Sequence, residues 1–308
     1  VRLFFNIIWI DDQPDNVIPI IERLKGIFAD EGFILNYRLV QNIESTLLIL
    51  DESVYSDNVD LILVDYDLGT FAKGDEGIVK IREKIKYKDI IFYSGNNPKQ
   101  KIRDGLILEG IYFSDRQNLL LTVEDVFNSI TKKYLDIDHL RGIVLGATSD
   151  LEFSVNHFIK RLHEISDDSK KQDIVKIIKN EIFKEKGVKY RFTNDFESIE
   201  SSNDFNYIIE NYNILTPMNR SIALRKIFKK LIPSEKKLIE ELESYEKDIL
   251  PKRNDLAHLR CEKGNGFSKK FFTSKNIEVN FDEMKALRKS IIQKQTSFEE
   301  CKSKNGLT

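Results

Sequence analysis

The chain has 308 residues, 41% hydrophobic and 32% charged, with 48 Lys and Arg against 50 Asp and Glu, a formal net charge of −2. That length suits two domains of roughly 100–200 residues each, and the balance excludes a disordered chain. Only two cysteines occur, Cys261 and Cys301, far apart and without CxxC spacing, which argues against a disulfide framework or zinc site and for a reducing, cytoplasmic setting.

The opening VRLFFNIIWIDD is apolar but short, and it ends on two aspartates rather than a small-residue cleavage site. Neither a signal peptide nor a membrane span is expected from it, and no later run is apolar for long enough to cross a bilayer. Residues 1–133 hold 16 Lys and Arg against 22 Asp and Glu, net −6; subtraction from the totals leaves 32 against 28, net +4, for the remainder. A mildly basic second half permits an anionic partner.

In chain order, NIIWI, LNYRLV, LILV, DIIFYS and IYFS read as buried strands, short apolar runs closed abruptly by polar residues. VIPIIERLKGIFADEG, GIVKIREKIKY and PKQKIRDGLILEG, with apolar residues three and four apart, read as helices between them. A further helix is expected over about Asn118 to Leu135. This alternation predicts an α/β domain over 1–135, a doubly wound parallel sheet of five strands covered on both faces.

Near Asp136–Asp138 the rhythm changes. LRGIVLGATSDLEFSVNHFIKRLHEI, QDIVKIIKNEIFKEKG, SIALRKIFKKLI, SEKKLIEELESYEKDIL and FDEMKALRKSIIQKQTSF all carry helical periodicity. The Asn-, Ser- and Asp-rich stretch 190–219 reads as loops with short helices. An all-α bundle over 136–300 is therefore expected.

In an open parallel sheet, ligands collect beyond the carboxyl ends of the strands. There the sequence places Asp11 and Asp12 after the first strand, Asp65 after LILV, Ser94 after IIFY, and Arg116 after IYFSD. Three carboxylates at one rim repel unless a hard cation neutralises them, and such cations prefer oxygen ligands. With a carboxylate nucleophile, a hydroxyl and a cation beside it, the set suits phosphoryl transfer.

This arrangement resembles the receiver domain of bacterial response regulators over about Phe5 to Leu135. The resemblance implies Mg²⁺ held by Asp11 and Asp12 with Asp65, Asp65 itself as phosphoacceptor, and the Asp67 backbone carbonyl on the metal. It further implies phosphoryl contacts from Ser94 and Arg116, Phe113 as a switching aromatic, Gly77 in a turn before the next helix, and a sensor histidine kinase or phosphotransfer protein as partner. The family's fifth-strand position is lysine followed by proline, whereas this chain has Arg116-Gln117. Arginine is planar and bidentate, so the exchange is not conservative; slower, longer-lived or absent phosphorylation is expected, the last case making the domain a binding module.

In the second half, KRNDLAHLR carries Arg253, Asn254 and His258. On a regular helix Asn254 and His258 share a face and Arg253 lies off it, so one copy is an incomplete site. RNDLAH resembles the signature of HEPN ribonucleases, and the helix containing Glu152 is similar to that family's first helix. The resemblance implies metal-independent RNA cleavage to a 2′,3′-cyclic phosphate at a site shared across a homodimer, with His258 as general acid or base. Arg253 would stabilise phosphoryl charge, and Asn254 would position the phosphate or the histidine. It also implies a toxin or phage-defence setting. Arg220, Arg225, Lys226, Lys229 and Lys230 are candidates to track an RNA backbone. The sequence thus reads as a phosphorylation-regulated endoribonuclease; the alternative is a non-catalytic signalling adaptor whose helical domain binds a protein or nucleotide.

Overall fold

The computed structural model describes residues 3–51, 58–68, 74–84, 88–95, 110–134, 137–184, 193–211, 214–263 and 269–306. The chain divides at Asp136 and Ile137 into two compact units.

The front unit holds β1 (Phe4–Ile10), α1 (Ile18–Asp30), β2 (Ile34–Val40), α2 (Ile43–Asp51), β3 (Leu61–Asp65), α3 (Gly74–Lys84), β4 (Asp89–Ser94), β5 (Ile111–Asp115) and α4 (Leu119–Tyr134). The five strands form one parallel sheet, as the strand-helix alternation predicts, and their order is 2-1-3-4-5. The chain runs outward from β1 to β2, then crosses to β3 on the other side of β1. That reversal makes the gap between the carboxyl ends of β1 and β3 the topological switch point.

Alternate residues of each strand face opposite sides, and both sides are covered. Phe5, Ile7 and Trp9 pack with Leu61, Leu63, Ile91 and Tyr93 beneath α1 and α4; Phe28 of α1 stacks on Phe127 of α4 with ring centres 4.0 Å apart. Ile8, Ile10, Ile62, Val64, Ile90 and Phe92 meet α2 and α3 through Ile43, Ile49, Leu50 and Ile81. Gly77 lies inside α3 rather than in a turn ahead of it, because the helix starts at Gly74 and absorbs the whole GDEG run. The helix expected over PKQKIRDGLILEG falls, apart from Gly110, outside the described residues.

The second unit contains α5 (Ile137–Ile165), α6 (Asp168–Lys184), α7 (Thr193–Ser201), α8 (Phe205–Glu210), α9 (Pro217–Leu231), α10 (Lys236–Ser244), α11 (Leu250–Ala257), β6 (Arg260–Lys263), β7 (Lys269–Phe272) and α12 (Phe281–Asn305). Helix α5 is the hub, packing against α6, α9, α11 and α12; its Phe158 meets Phe228 of α9 and Phe298 of α12 edge to face. Thr216 caps α9 ahead of Pro217, whose fixed φ suits the first turn.

Two features depart from the all-helical expectation. The single helix expected over 234–250 is interrupted by a π-helical turn at Tyr245–Ile249, whose wider i→i+5 bonding re-phases the chain before α11. Residues 260–263 and 269–272 pair as antiparallel strands, β6 with β7. Among the described residues, no helix is long and apolar enough to cross a membrane.

Candidate functional site: an acidic rim and an arginine–glutamate pair

Asp11 follows β1 and Asp65 ends β3, so the switch point brings them together. One carboxylate oxygen from each of Asp11, Asp12 and Asp65 lies within 4.8 Å of the others, with Asp11 and Asp65 buried. Arg116, directly after β5, donates through Nη2 to Asp65 Oδ2 and, at 3.2 Å, to Asp11 Oδ2. Burial opposes the charge of this guanidinium, but Asp65 and Asp11 outweigh it and hold its pKa above the usual value. Three carboxylates against one guanidinium leave two formal negative charges in the pocket.

The Asp65 carboxyl is pushed up to about 6, by burial first and then by the charge of Asp11, against the pull of Arg116. Its Oδ1 accepts from the Asp67 backbone N–H at 3.3 Å, and Asp67 itself is exposed. Ser94, the last residue of β4, is 2% exposed and its carbonyl accepts from the Arg116 backbone N–H at 3.1 Å, so the ends of β4 and β5 close beside Asp65. Phe113 of β5 is half-buried against Phe92.

A hard divalent cation fits this donor set. All three side chains offer oxygen, and Asp12 Oδ1 is buried without a hydrogen-bond partner, leaving an acceptor that only a cation or water would satisfy. Sequence reasoning missed Tyr93 and Trp9: the Tyr93 hydroxyl donates to Asp11 Oδ2 at 2.6 Å and accepts from Trp9 Nε1 at 2.8 Å. The signal was in the spacing. Residues 9 and 11, 63 and 65, and 91 and 93 share one parity and hence one face of the sheet.

No family model matches the chain, and the search of curated proteins gives no match. Among solved structures, the chain is similar to the signal receiver domain of an HD-domain-containing protein from Pseudomonas fluorescens Pf-5. That likeness has 17% identity and a TM-score of 0.32, and covers 42% of this chain and 98% of the other. It is also similar to a CheX–CheY–BeF3–Mg²⁺ complex from Borrelia burgdorferi, at 24% identity and a TM-score of 0.30, over 40% of this chain and 89% of the other.

In the second unit the RNDLAH motif sits on α11 and just past it. Leu250 and Leu256 are buried and anchor the helix, and Arg141 of α5 donates at 2.6 Å to the carbonyl of Ala257, tying down its last turn. The helix ends at Ala257. His258 is the residue after it, with φ −118° and ψ 30°, and is exposed, so the regular-helix relation of Asn254 to His258 holds only to that edge. Arg253 is half-buried; it faces Glu152 of α5 at 3.6 Å and donates to Asn254 Oδ1 at 3.1 Å. Among the described residues no hydrogen bond or ion pair joins Arg253 to His258.

Burial pushes the Glu152 carboxyl up, opposed by Arg253 and then Arg220. Next to this pair the Tyr245 hydroxyl, in the π turn, is buried without a hydrogen-bond partner. Burial and then the charge of Glu152 raise it far above the usual tyrosine range.

The structure changes the reading of the basic residues on α9. Arg220 is 3% exposed and donates to the Leu215 carbonyl and to Asn156. Arg225 clamps Glu246 with two nitrogens, and Lys226 and Lys230 pair with Glu181 and Asp173. Arg225, Lys226 and Lys230 thus each pair with a carboxylate, and Arg220 is buried against neutral acceptors, so these four tie helices together.

Proposed function

We propose that the front unit is a phosphoryl-accepting signalling module and that it regulates an RNA-cleaving second unit. The observation that carries the first part is the Asp11–Asp12–Asp65 cluster at the switch point, with Arg116 reaching from β5 onto Asp65. In this reading the Asp65 carboxylate attacks the phosphorus of a phosphodonor such as a phosphohistidine, the bond to the donor breaks, and an acyl phosphate remains. Mg²⁺ held by Asp11, Asp12 and Asp65, with the Asp67 carbonyl, would supply charge neutralisation for the incoming phosphoryl group. Ser94 and Arg116 would receive its oxygens. Arg116 has to leave Asp11 and turn to the phosphoryl group, and its planar fork can hold two oxygens at once.

For the second unit the reading rests on Arg253, Asn254 and the exposed His258 lying within six residues at the end of one buried-anchored helix. The ribose 2′-oxygen attacks the adjacent phosphorus and the bond to the 5′-oxygen breaks. His258 either takes the 2′ proton or supplies one to the leaving oxygen, and two copies supply both roles. Arg253 would bind the equatorial oxygens once released from Glu152. The regulatory logic is a homodimer interface biased by one phosphoryl group. A second reading, a non-catalytic adaptor, is favoured by the engagement of Arg253 with Glu152 and Asn254 rather than with His258.

The test is twofold. Incubation with Mg²⁺ and acetyl phosphate is expected to give one phosphoryl adduct by intact mass, absent in Asp65→Asn. RNA cleavage in EDTA is expected from the wild type and not from His258→Ala of unchanged circular dichroism. Wild type that cleaves no RNA, phosphorylated or not, selects the adaptor; wild type without an adduct refutes the phosphoacceptor assignment.

A further inference from the structure

We infer that Tyr93 is a positioning residue of the acidic pocket, a fixed neutral donor that orients the Asp11 carboxylate for a divalent cation and couples pocket occupancy to Trp9 in the core. The inference rests on the reading that the pocket binds such a cation.

Tyr93 is fully buried on β4, in register with Asp65 of β3. An indole N–H only donates, so the bond from Trp9 Nε1 at 2.8 Å uses the Tyr93 oxygen as acceptor and leaves its proton for Asp11 Oδ2 at 2.6 Å. The direction of the chain Trp9 to Tyr93 to Asp11 is therefore set by chemistry. Asp11 Oδ1 is held from the other side by the Gln13 backbone N–H at 2.8 Å. With both oxygens held, the carboxylate is fixed in orientation, with one oxygen within 4.8 Å of those of Asp12 and Asp65.

The hydroxyl has no packing purpose. A phenylalanine would fill the same core position without the desolvation cost of a buried hydroxyl, so what the oxygen adds is its bond to Asp11. Arg116 lies over the same ring, its guanidinium carbon 5.7 Å from the ring centre, so Tyr93 touches both a cation ligand and the residue that competes for it. Partners that fix a ligating group in this way typically govern metal affinity by about 10–100-fold.

The experiment is a calorimetric Mg²⁺ titration of the full chain, wild type against Tyr93→Phe, with Trp9 emission followed in parallel. Trp9 is the only tryptophan, so the emission comes from the residue that starts this chain of bonds. Tyr93→Phe is expected to bind Mg²⁺ about tenfold more weakly or worse. The emission change that accompanies binding in the wild type is expected to vanish in the variant even at calorimetric saturation, a signature that altered packing alone would not produce. Trp9→Phe, which removes the donor that orients Tyr93, is expected to weaken binding by a smaller factor and serves if Tyr93→Phe does not fold. Unchanged affinity in these variants overturns the inference while leaving the cation site intact. A wild type that binds no Mg²⁺ overturns the cation reading itself, and this inference with it.

Discussion

Asp65 is expected to weaken the folded front unit at neutral pH when no cation is present, and Asp65→Asn removes that effect. The carboxyl ordinarily titrates near 3.8 and is pushed up to about 6 by burial and by Asp11. At about 1.4 kcal/mol per pH unit, the difference corresponds to about 3 kcal/mol. The sign follows from linkage. Below about pH 3 the carboxyl is protonated in both states and contributes nothing; as pH rises toward about 6 the unfolded chain ionises first, so stability falls and then levels off.

Asparagine mimics the protonated acid and keeps an acceptor for Arg116. In EDTA, Asp65→Asn should therefore exceed the wild type by about 3 kcal/mol at about pH 7.5 and by almost nothing at about pH 3. Urea unfolding followed by Trp9 emission measures this, because Trp9 is the sole tryptophan, is fully buried and lies in the front unit. Saturating Mg²⁺ should narrow the gap by stabilising only the wild type. Equal stability at neutral pH, or a gain that persists undiminished into acid, refutes the argument.

In the second unit, Arg225→Ala strips a buried carboxylate, Glu246, of its bidentate partner and leaves it, among the described residues, the Ser221 hydroxyl at 3.2 Å. A loss of about 3 kcal/mol is expected in thermal unfolding, and a shift within error would refute the clamp. Leu256 is 4% exposed under α11, so Leu256→Ala should cost about 2–5 kcal/mol and lower RNA cleavage by displacing Arg253; normal stability in circular dichroism melts would sink this placement. Glu152→Gln removes the charge facing Arg253 and, by freeing that guanidinium, should lower the apparent Kd for RNA in a filter-binding assay, with unchanged or weaker binding counting against an anion-binding role for Arg253. A cleavage rate in His258→Ala equal to wild type would end the ribonuclease reading.

Much of the front unit was legible because its signals are local. Five apolar runs closed by polar residues give five strands, and helix-length spacers force them parallel. The carboxylates at Asp11, Asp12 and Asp65 sit where such strands end, so their meeting follows once the sheet forms. The even spacing from Trp9 to Asp11 and from Leu63 to Asp65 carried the shared face as well. What the sequence left open was the bond from Tyr93 to Asp11, because it spans 82 residues and depends on β4 lying beside β3.

The second unit was less legible, again for physical reasons. The run over 234–250 keeps helical periodicity through the π turn at Tyr245–Ile249, since widening one turn alters hydrogen bonding without altering composition. The β6 strand RCEK is exposed along its whole length and shows no apolar alternation, so nothing local announces it. The cations of α9 look like a solvated basic face in sequence; only the packing of α6 and the π turn against α9 supplies Glu181 and Glu246 to neutralise Lys226 and Arg225. Local pattern determined which segments would be strand or helix and where the acids would cluster. Contacts between residues far apart in the chain decided which charges are spent on the fold and which remain for chemistry, because a charge is neutralised by what lies near it in space.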